Sequence, residues 1–199
     1  MEETRLTLLP DRRLSVHASV LAERLKSIAE GITADNFASL LDGTMRYLLQ
    51  AAFDNAEADE GSVWLVNESL AALVLAYNTG PNSDKLVGRF RQPLTAGHIS
   101  MVFANEQSFI ENEVYKTAAH DKSLDRLLEV QTNAMIAVPF YFFEACRGVV
   151  SCVQLIGSSY GNPNGRRFDN SDERAIRNAA VALGRLLEHR IMRVTLGLE

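Results

Sequence analysis

The stretch 132–157, TNAMIAVPFYFFEACRGVVSCVQLIG, constrains the fold more than any other part of the chain. It holds two apolar, β-rich runs, AMIAVPFYF and GVVSCVQLIG, the second entered through Cys146-Arg147-Gly148. Neither run has the three-and-four spacing of an amphipathic helix. Strands joined by so short a connection pair antiparallel, because a parallel pair needs a long crossover. A second such pair precedes them. SVWLVN and ALVLAYN, separated by Asn67-Glu68-Ser69, predict a hairpin. Residues 87–91 predict a further short strand, and 108–111 a short extended piece.

Helical spacing marks both ends of the chain. Val16, Val20, Leu21, Leu25 and Ile28 predict a helix that Gly31 stops. A second helix is predicted from Thr33 or Asp35, carrying Phe37, Leu40, Leu41, Leu48, Leu49 and Ala52 inward. Ile176, Ala179, Ala180, Leu183, Leu187, Ile191 and Val194 continue steps of three and four through a long last helix. Short helices are predicted for HISMVFANE after Gly97 and for LDRLLEVQ after Ser123. The order is helix, helix, paired strands, strand, short helices, paired strands, helix. Terminal helices covering one face of an antiparallel sheet give an α+β sandwich. Residues 1–15 read as an irregular leader, and 16–195 as a single domain.

Composition narrows the function classes. With 199 residues the chain suits one domain. A net charge of −5 argues against nucleic acid as a direct partner, which calls for a basic face. No apolar run reaches the roughly 20 residues of a membrane span, and MEETRLTLLPDRRL has no apolar segment of a signal peptide. No membrane partner and a cytoplasmic location are the expectation. The closing Leu198-Glu199 reads as an appended remnant, which would make the chain a piece of a longer protein. Cys146 and Cys152 are the two cysteines, too few for a disulfide framework or a four-ligand zinc site. Their spacing of six puts them on one face of a regular strand, as buried structural thiols. No phosphate loop, His-Glu-x-x-His motif or ordered Ser-His-Asp set is present.

The segment RRFDNSDERAI (166–176) has two readings. As a helix start, Asp169 or Asn170 accepts from free backbone N–H groups, and Asp172 and Glu173 meet the positive end of the helix. As a chemical site, paired carboxylates would do acid–base work, which needs a pocket and a perturbed pKa. The helix-start pattern is complete, and this is the reading adopted. Arg166-x-x-Asp169 also has the spacing by which some sensor domains bind cyclic di-guanylate, a short match without supporting context.

Over residues 35–190 the chain resembles a GAF domain. GSVWLVNESLAALVLAYNTG is similar to the opening hairpin of that family. LTAGHISMVFANEQSFIENEVY resembles its glycine-led short helix and extended segment, with Glu113 where many members have an aspartate. TNAMIAVPFYFFEACRGVVSCVQLIG resembles its two long central strands, with Pro139 at the usual place. Phe168 followed by Asp172-Glu173 fits its ending. Gly157-Ser158 stand where cyclic-nucleotide-binding members carry Asn-Lys, which breaks the resemblance to that subgroup.

The resemblance implies a sheet of about six strands, with short helices on the face opposite the terminal helices. It implies a pocket between sheet and short helices, with Phe90, His98, Ile99, Glu113, Tyr115 and Thr132 as ligand-binding residues. Free N–H groups at the start of the Gly97 helix would hold an anionic group, Thr132 would donate to it, and Tyr115 would stack or donate. His98 and His120 border the pocket as candidate haem or ligand contacts, while His17 and His189 fall on solvated helix faces. The cysteines do not match the sets used by sulfoxide-reducing or bilin-binding members. The expected function is a non-catalytic sensory module for a small molecule, with a ligand-free structural or dimerisation module as the alternative. A homodimer is expected through Val16, Val20 and Ile28 on one helix and Leu183, Leu187, Ile191 and Val194 on another, passing a signal to an output domain. The sequence names neither ligand nor cofactor.

Overall fold

The computed structural model describes residues 11–67, 69–117, 121–156 and 166–198. Six strands form one sheet: β1 (Glu60–Val66), β2 (Ala72–Asn78), β3 (Arg91–Pro93), β4 (Phe109–Glu111), β5 (Gln131–Phe142) and β6 (Ala145–Ile156). Their order across the sheet is β3-β2-β1-β6-β5-β4, and every neighbouring pair is antiparallel. β4 starts at Phe109, opposite Ala137, and does not reach further along β5. Pro139, with no N–H to give, therefore sits where β5 has become an edge.

After one turn of helix, α1 (Arg12–Ser15), the back of the sheet carries α2 (Ala18–Glu30), α3 (Ala34–Leu40), α4 (Gly43–Asn55) and, further on, the last and longest helix, Asn170–Thr195. In β5, Ile136, Val138, Phe140 and Phe142 alternate onto this face and meet Phe37, Met45, Leu49, Ile176, Leu183 and Leu187 in one buried cluster. The front carries the short helices α5 (Ser83–Leu86), α6 (His98–Asn105) and α7 (Ser123–Leu128). There Trp64, Leu73, Leu75, Met135, Ala137 and Val149 pack with Ile99, Val102 and Val114. The last helix is α8. The expected division of helices between the two faces is what the chain adopts.

Local departures have local causes. The helix expected from residue 33 through Ala52 is two, broken at Leu41 and Asp42. Leu41 is extended (ψ 111°), and the Asp42 carboxylate restarts the chain by accepting from Met45 N at 2.9 Å. Residues 87–91 are not a strand of their own. Asn82-Ser83-Asp84 starts the turn of α5, Phe90 N closes it on Leu86 O, and pairing begins only at Arg91. The leader is not wholly irregular, since Arg12–Ser15 is helical; residues 1–10 lie outside the described part.

Three register shifts change which side chains face where. Asn133 is the extra residue between Thr132, opposite Leu155, and Ala134, opposite Gln154. Ala76 is the extra residue between Leu75, opposite Trp64, and Tyr77, opposite Val63. Arg147 is the extra residue between Gly148, opposite Phe140, and Cys146, opposite Tyr141. The last shift corrects the expectation that the cysteines share a face. Cys152 sits opposite Ile136 in the back cluster, whereas Cys146 pairs with Tyr141, whose hydroxyl donates to Glu106 Oε2 at 2.6 Å just past the end of α6.

The segment at 166–176 is a helix start held from three sides. The Asp169 carboxylate accepts from Ser171 N (2.7 Å) and Asp172 N (3.2 Å), and Asp172 Oδ2 accepts in return from Asp169 N (2.9 Å). Arg166 donates from both Nη atoms to Asp172 at 2.8 Å, and its Nε reaches Glu57 at 3.3 Å. The Arg166 guanidinium is thus used inside the protein. These donors hold the Asp169 carboxyl below its usual range, its own Ser171 bond first.

α8 lies close enough to β5 that a Cβ on Gly184 would fall 2.2 Å from Tyr141 O, a backbone atom. Gly184→Val is expected to lower stability by about 3 kcal/mol through overpacking, measured by urea unfolding. The two-residue turn between β5 and β6 places Phe143 (φ 49°) and Glu144 (φ 61°) in the left-handed region. Glu188 Oε1 of α8 holds it by accepting from Phe143 N at 2.6 Å. Glu144 is exposed, so Glu144→Gly is expected to raise stability by about 1 kcal/mol by relieving the left-handed strain. The same unfolding measurement checks it.

Candidate functional site

A cavity opens on the front between the sheet and α6 and α7, leaving about 60 Å³ for the centres of water-sized molecules. A single water needs roughly 10–15 Å³ on this measure, so the space holds a few waters or a small group. Its floor is sheet: Ser62 and Trp64 of β1, Asn78 of β2, Thr132 and Met135 of β5, Ser151 and Val153 of β6. Two of these residues face it because of the bulges. Asn133 turns Thr132 to the front although Ala134, two residues on, points to the back. Ala76 does the same for Asn78, since Tyr77 beside it packs on the back cluster.

The polar floor is internally bonded. Trp64 Nε1 donates to Ser151 Oγ at 3.0 Å, and its ring meets Phe90 edge-on, centroids 6.0 Å apart. Asn78 Nδ2 donates to Glu60 Oε2 (3.2 Å) and Ser62 Oγ (3.1 Å), while its Oδ1 accepts from Gly80 N (2.8 Å). A Cβ on Gly80 would fall 2.2 Å from the Glu60 carboxylate, so only glycine lets that group lie against the backbone.

The walls come from α6, α7 and the residues before them. Gly97 enters α6 with φ 84°, a left-handed value that a side chain resists. Gln92 Nε2 ties the entrance together by donating to Ala96 O and Asp121 Oδ2, both at 2.8 Å. Asp121 Oδ1 accepts from Ser123 N at 2.9 Å, at the start of α7. One turn on, Asp125 accepts from Thr132 N (2.8 Å) and Thr132 Oγ1 (2.7 Å), which pins α7 to β5. His98 is 5% exposed, stacked on Phe109 with centroids 4.2 Å apart. Its Nε2 lies 2.9 Å from Thr117 Oγ1, and that hydroxyl gives its one proton to Val114 O. His98 Nε2–H is therefore the donor of the pair.

Of the six residues named from the sequence, Phe90, His98, Ile99 and Thr132 line this cavity, and Glu113 and Tyr115 do not. Val114 between them is fully buried in a tight turn (Val114–Lys116), which sends its neighbours outward. Glu113 instead meets Lys116 Nζ at 2.7 Å and Arg167 at 3.7 Å, and the Lys116 bond lowers its pKa. Tyr115 lies beside the same ammonium, 5.6 Å from its ring centroid. The Thr132 hydroxyl is committed to Asp125, and a carboxylate stands at the entrance of α6, so the arrangement does not favour the anionic group expected there. His120 and Gly157-Ser158 lie outside the described residues; His17 and His189 are exposed, as expected. Glu60, Asn78, Gln92, Asp121, Asp125 and Ser151 line the cavity without having been singled out.

Neither cysteine lines the cavity. Burial pushes the Cys152 thiol up to about 12 and raises that of Cys146 as well. Among the described residues no group of three His, Cys, Asp or Glu side chains is placed to hold a metal ion, and no helix is long and apolar enough to cross a membrane.

No family model matches the sequence, and no curated protein matches it. Solved structures do. The GAF domain of an Acinetobacter phosphoenolpyruvate-protein phosphotransferase superposes with a TM-score of 0.58 at 15% identity, covering 96% of this chain and 100% of that one. A free methionine-R-sulfoxide reductase from Neisseria meningitidis, in complex with its substrate, gives 0.54 at 18%, covering 98% and 99%. The GAF-B domain of DevS from Mycobacterium smegmatis gives 0.53 at 16%, covering 78% and 98%. The chain has the GAF fold. At these identities the likeness is one of fold, and the neighbours include both GAF domains and a reductase.

Removing the Asp125 carboxylate leaves a buried backbone N–H and a buried hydroxyl of Thr132 without their acceptor. Asp125→Ala is expected to cost about 2 kcal/mol and to shift Trp64 emission, whereas Thr132→Val keeps the backbone bond and costs about half as much. Urea unfolding followed by tryptophan fluorescence separates the two.

Proposed function

We propose that this chain is a non-catalytic sensory or regulatory domain that binds a small molecule in the front cavity and signals through its terminal helices. One observation carries the reading. The fold gathers buried polar groups from five strands and from α6 and α7 around one space that the apolar core does not fill. An apolar front core alone would not need Glu60, Asp125, Thr132, Ser151 and His98 there, each less than a tenth exposed. A molecule held between α7 and the floor would add contacts across a wall that is otherwise fastened to β5 through Asp125. Such a ligand shifts the balance of two states only by its differential affinity for them. The position of both thiols outside the cavity, with raised pKa values, supports binding rather than thiol chemistry.

Dimerisation belongs to the same proposal, with its surface redrawn. Leu183, Leu187 and Ile191 are no more than 5% exposed and are spent on the chain's own core. Val16 (72%), Val20 (66%) and Val194 (54%) remain exposed. They would pair a second copy through α2 and the end of α8, from which an output domain would be driven. The small volume of the cavity favours one other reading, a dimerisation module with the same fold whose front holds only water.

A thermal-shift screen of the purified chain against nucleotides, amino acids, amines and organic acids tests the ligand. A true ligand at about a hundred times its Kd stabilises by about 2.7 kcal/mol, and native mass spectrometry reports the same compound as added mass. A screen without any shift, with no retained mass in protein from its own host, leaves the water-filled module.

A further inference from the structure

A second cavity lies where the linker between α2 and α3 passes the β1–β2 hairpin. It leaves about 430 Å³ for the centres of water-sized molecules, against about 60 Å³ in the front cavity. Ile32 and Thr33 of the linker line it, with Leu65 of β1, Asn67 and Leu70 of the hairpin turn, and Arg147 of β6. Arg147 is the bulge residue without a partner on β5, and its guanidinium lies over the Phe142 ring, 5.7 Å from the centroid. Among the described residues, Arg147 and Arg190 are the two lysines or arginines that are not exposed. Arg190 has the Asp42 carboxylate at 3.9 Å. Arg147 has no ion pair and no hydrogen-bond acceptor among the described residues, and its Nε is buried. A guanidinium carries five N–H donors, and a donor taken out of water without an acceptor costs stability. Glu30, the other charged residue that lines the cavity, is exposed, so water screens its charge more than that of Arg147.

We infer that this cavity takes a small organic carboxylate, its charged head on the Arg147 guanidinium and its apolar body against Ile32, Leu65 and Leu70. The site is separate from the front cavity and does not depend on a ligand there. A carboxylate presents two oxygens at the spacing of two guanidinium N–H groups. One guanidinium balances one charge, so a phosphate dianion would be left in excess beside Glu30. An alcohol of the same length would use the apolar wall and leave the cation unpaired. The wall itself is incomplete: Leu65 is 2% exposed, whereas Leu70, held at φ 51° in the turn, is 67% exposed. The apolar part of a ligand would cover it.

Proton–nitrogen correlation spectra of the isotope-labelled chain locate binding residue by residue and show the arginine Nε–H groups as well as the backbone. The protein is titrated at constant ionic strength with sodium butyrate, sodium hexanoate and sodium benzoate, and in parallel with n-hexanol, n-hexylammonium chloride and sodium phosphate. The expected result is saturable movement of the Arg147 Nε–H signal and of the backbone signals of Ile32, Thr33, Asn67 and Leu70 with at least one carboxylate. Its Kd is at least ~10-fold lower than that of the alcohol, the ammonium ion or phosphate, equivalent to about 1.4 kcal/mol. Arg147→Gln is expected to weaken that binding by about 10-fold while its unliganded melting temperature stays near that of the parent. If Arg147→Gln does not fold, the comparison of ligands on the parent chain decides alone. Hexanol or phosphate binding as tightly as the carboxylates overturns the inference, and so does equal binding by parent and Arg147→Gln. Movement confined to Trp64, His98 and Thr132 places the carboxylate in the front cavity and overturns the second site. Silence from all three carboxylates also overturns it, and leaves the front cavity to its own screen.

Discussion

The arrangement depends on how close α8 can come to the back of β5. At Gly184 the helix backbone rests on the carbonyl of Tyr141, and a single added carbon would push them apart. That approach lets Ile176, Leu183 and Leu187 join Val138, Phe140 and Phe142 in one buried cluster. Close packing of this kind resists any change of volume. The back of the sheet is therefore covered by apolar side chains, and a cavity opens on the front, where shorter helices meet a floor of mixed polarity.

The parts that follow from periodicity were legible in the sequence: the two hairpins, the long last helix, the short helix after Gly97 and the assignment of terminal helices to one face. What escaped was anything decided by a single residue that breaks a period. Asn133, Ala76 and Arg147 carry no signal of their own, yet each turns a neighbour to the opposite side. Thr132 was placed at the pocket by resemblance, and the bulge is the physical reason that it faces there. Asn78, at the end of its expected strand, and Glu60, before the start of the expected SVWLVN strand, carried no sign of a cavity. Asp125, within an amphipathic pattern, gave no hint that its partner was a backbone N–H on another element. The apolar stripe on α8 was read correctly as a stripe. Spacing alone does not say whether such a stripe covers the chain's own sheet or another molecule, and here it covers the sheet.

Acidic side chains do two different jobs on the two sides of the molecule. Asp169 and Asp172 close the start of α8, and Arg166 neutralises them from outside. The chain spends that guanidinium on its own scaffold. On the front, Asp121 accepts from Gln92 and Ser123, and Asp125 accepts twice from Thr132. Similar carboxylates thus close a helix start in one place and fasten a short helix to the cavity's entrance and floor in the other. The difference lies in what stands opposite them, not in their spacing along the chain.

Tyr141 touches both sides of the sheet. Its carbonyl bears on Gly184 behind, and its hydroxyl holds Glu106 in front, one residue past the end of the helix whose first residue is His98. α6 thereby has one end at the cavity and the other tied by Tyr141 to a strand whose backbone meets α8 on the opposite side. The two faces of the platform are therefore joined through a single residue, by its hydroxyl on one side and its carbonyl on the other.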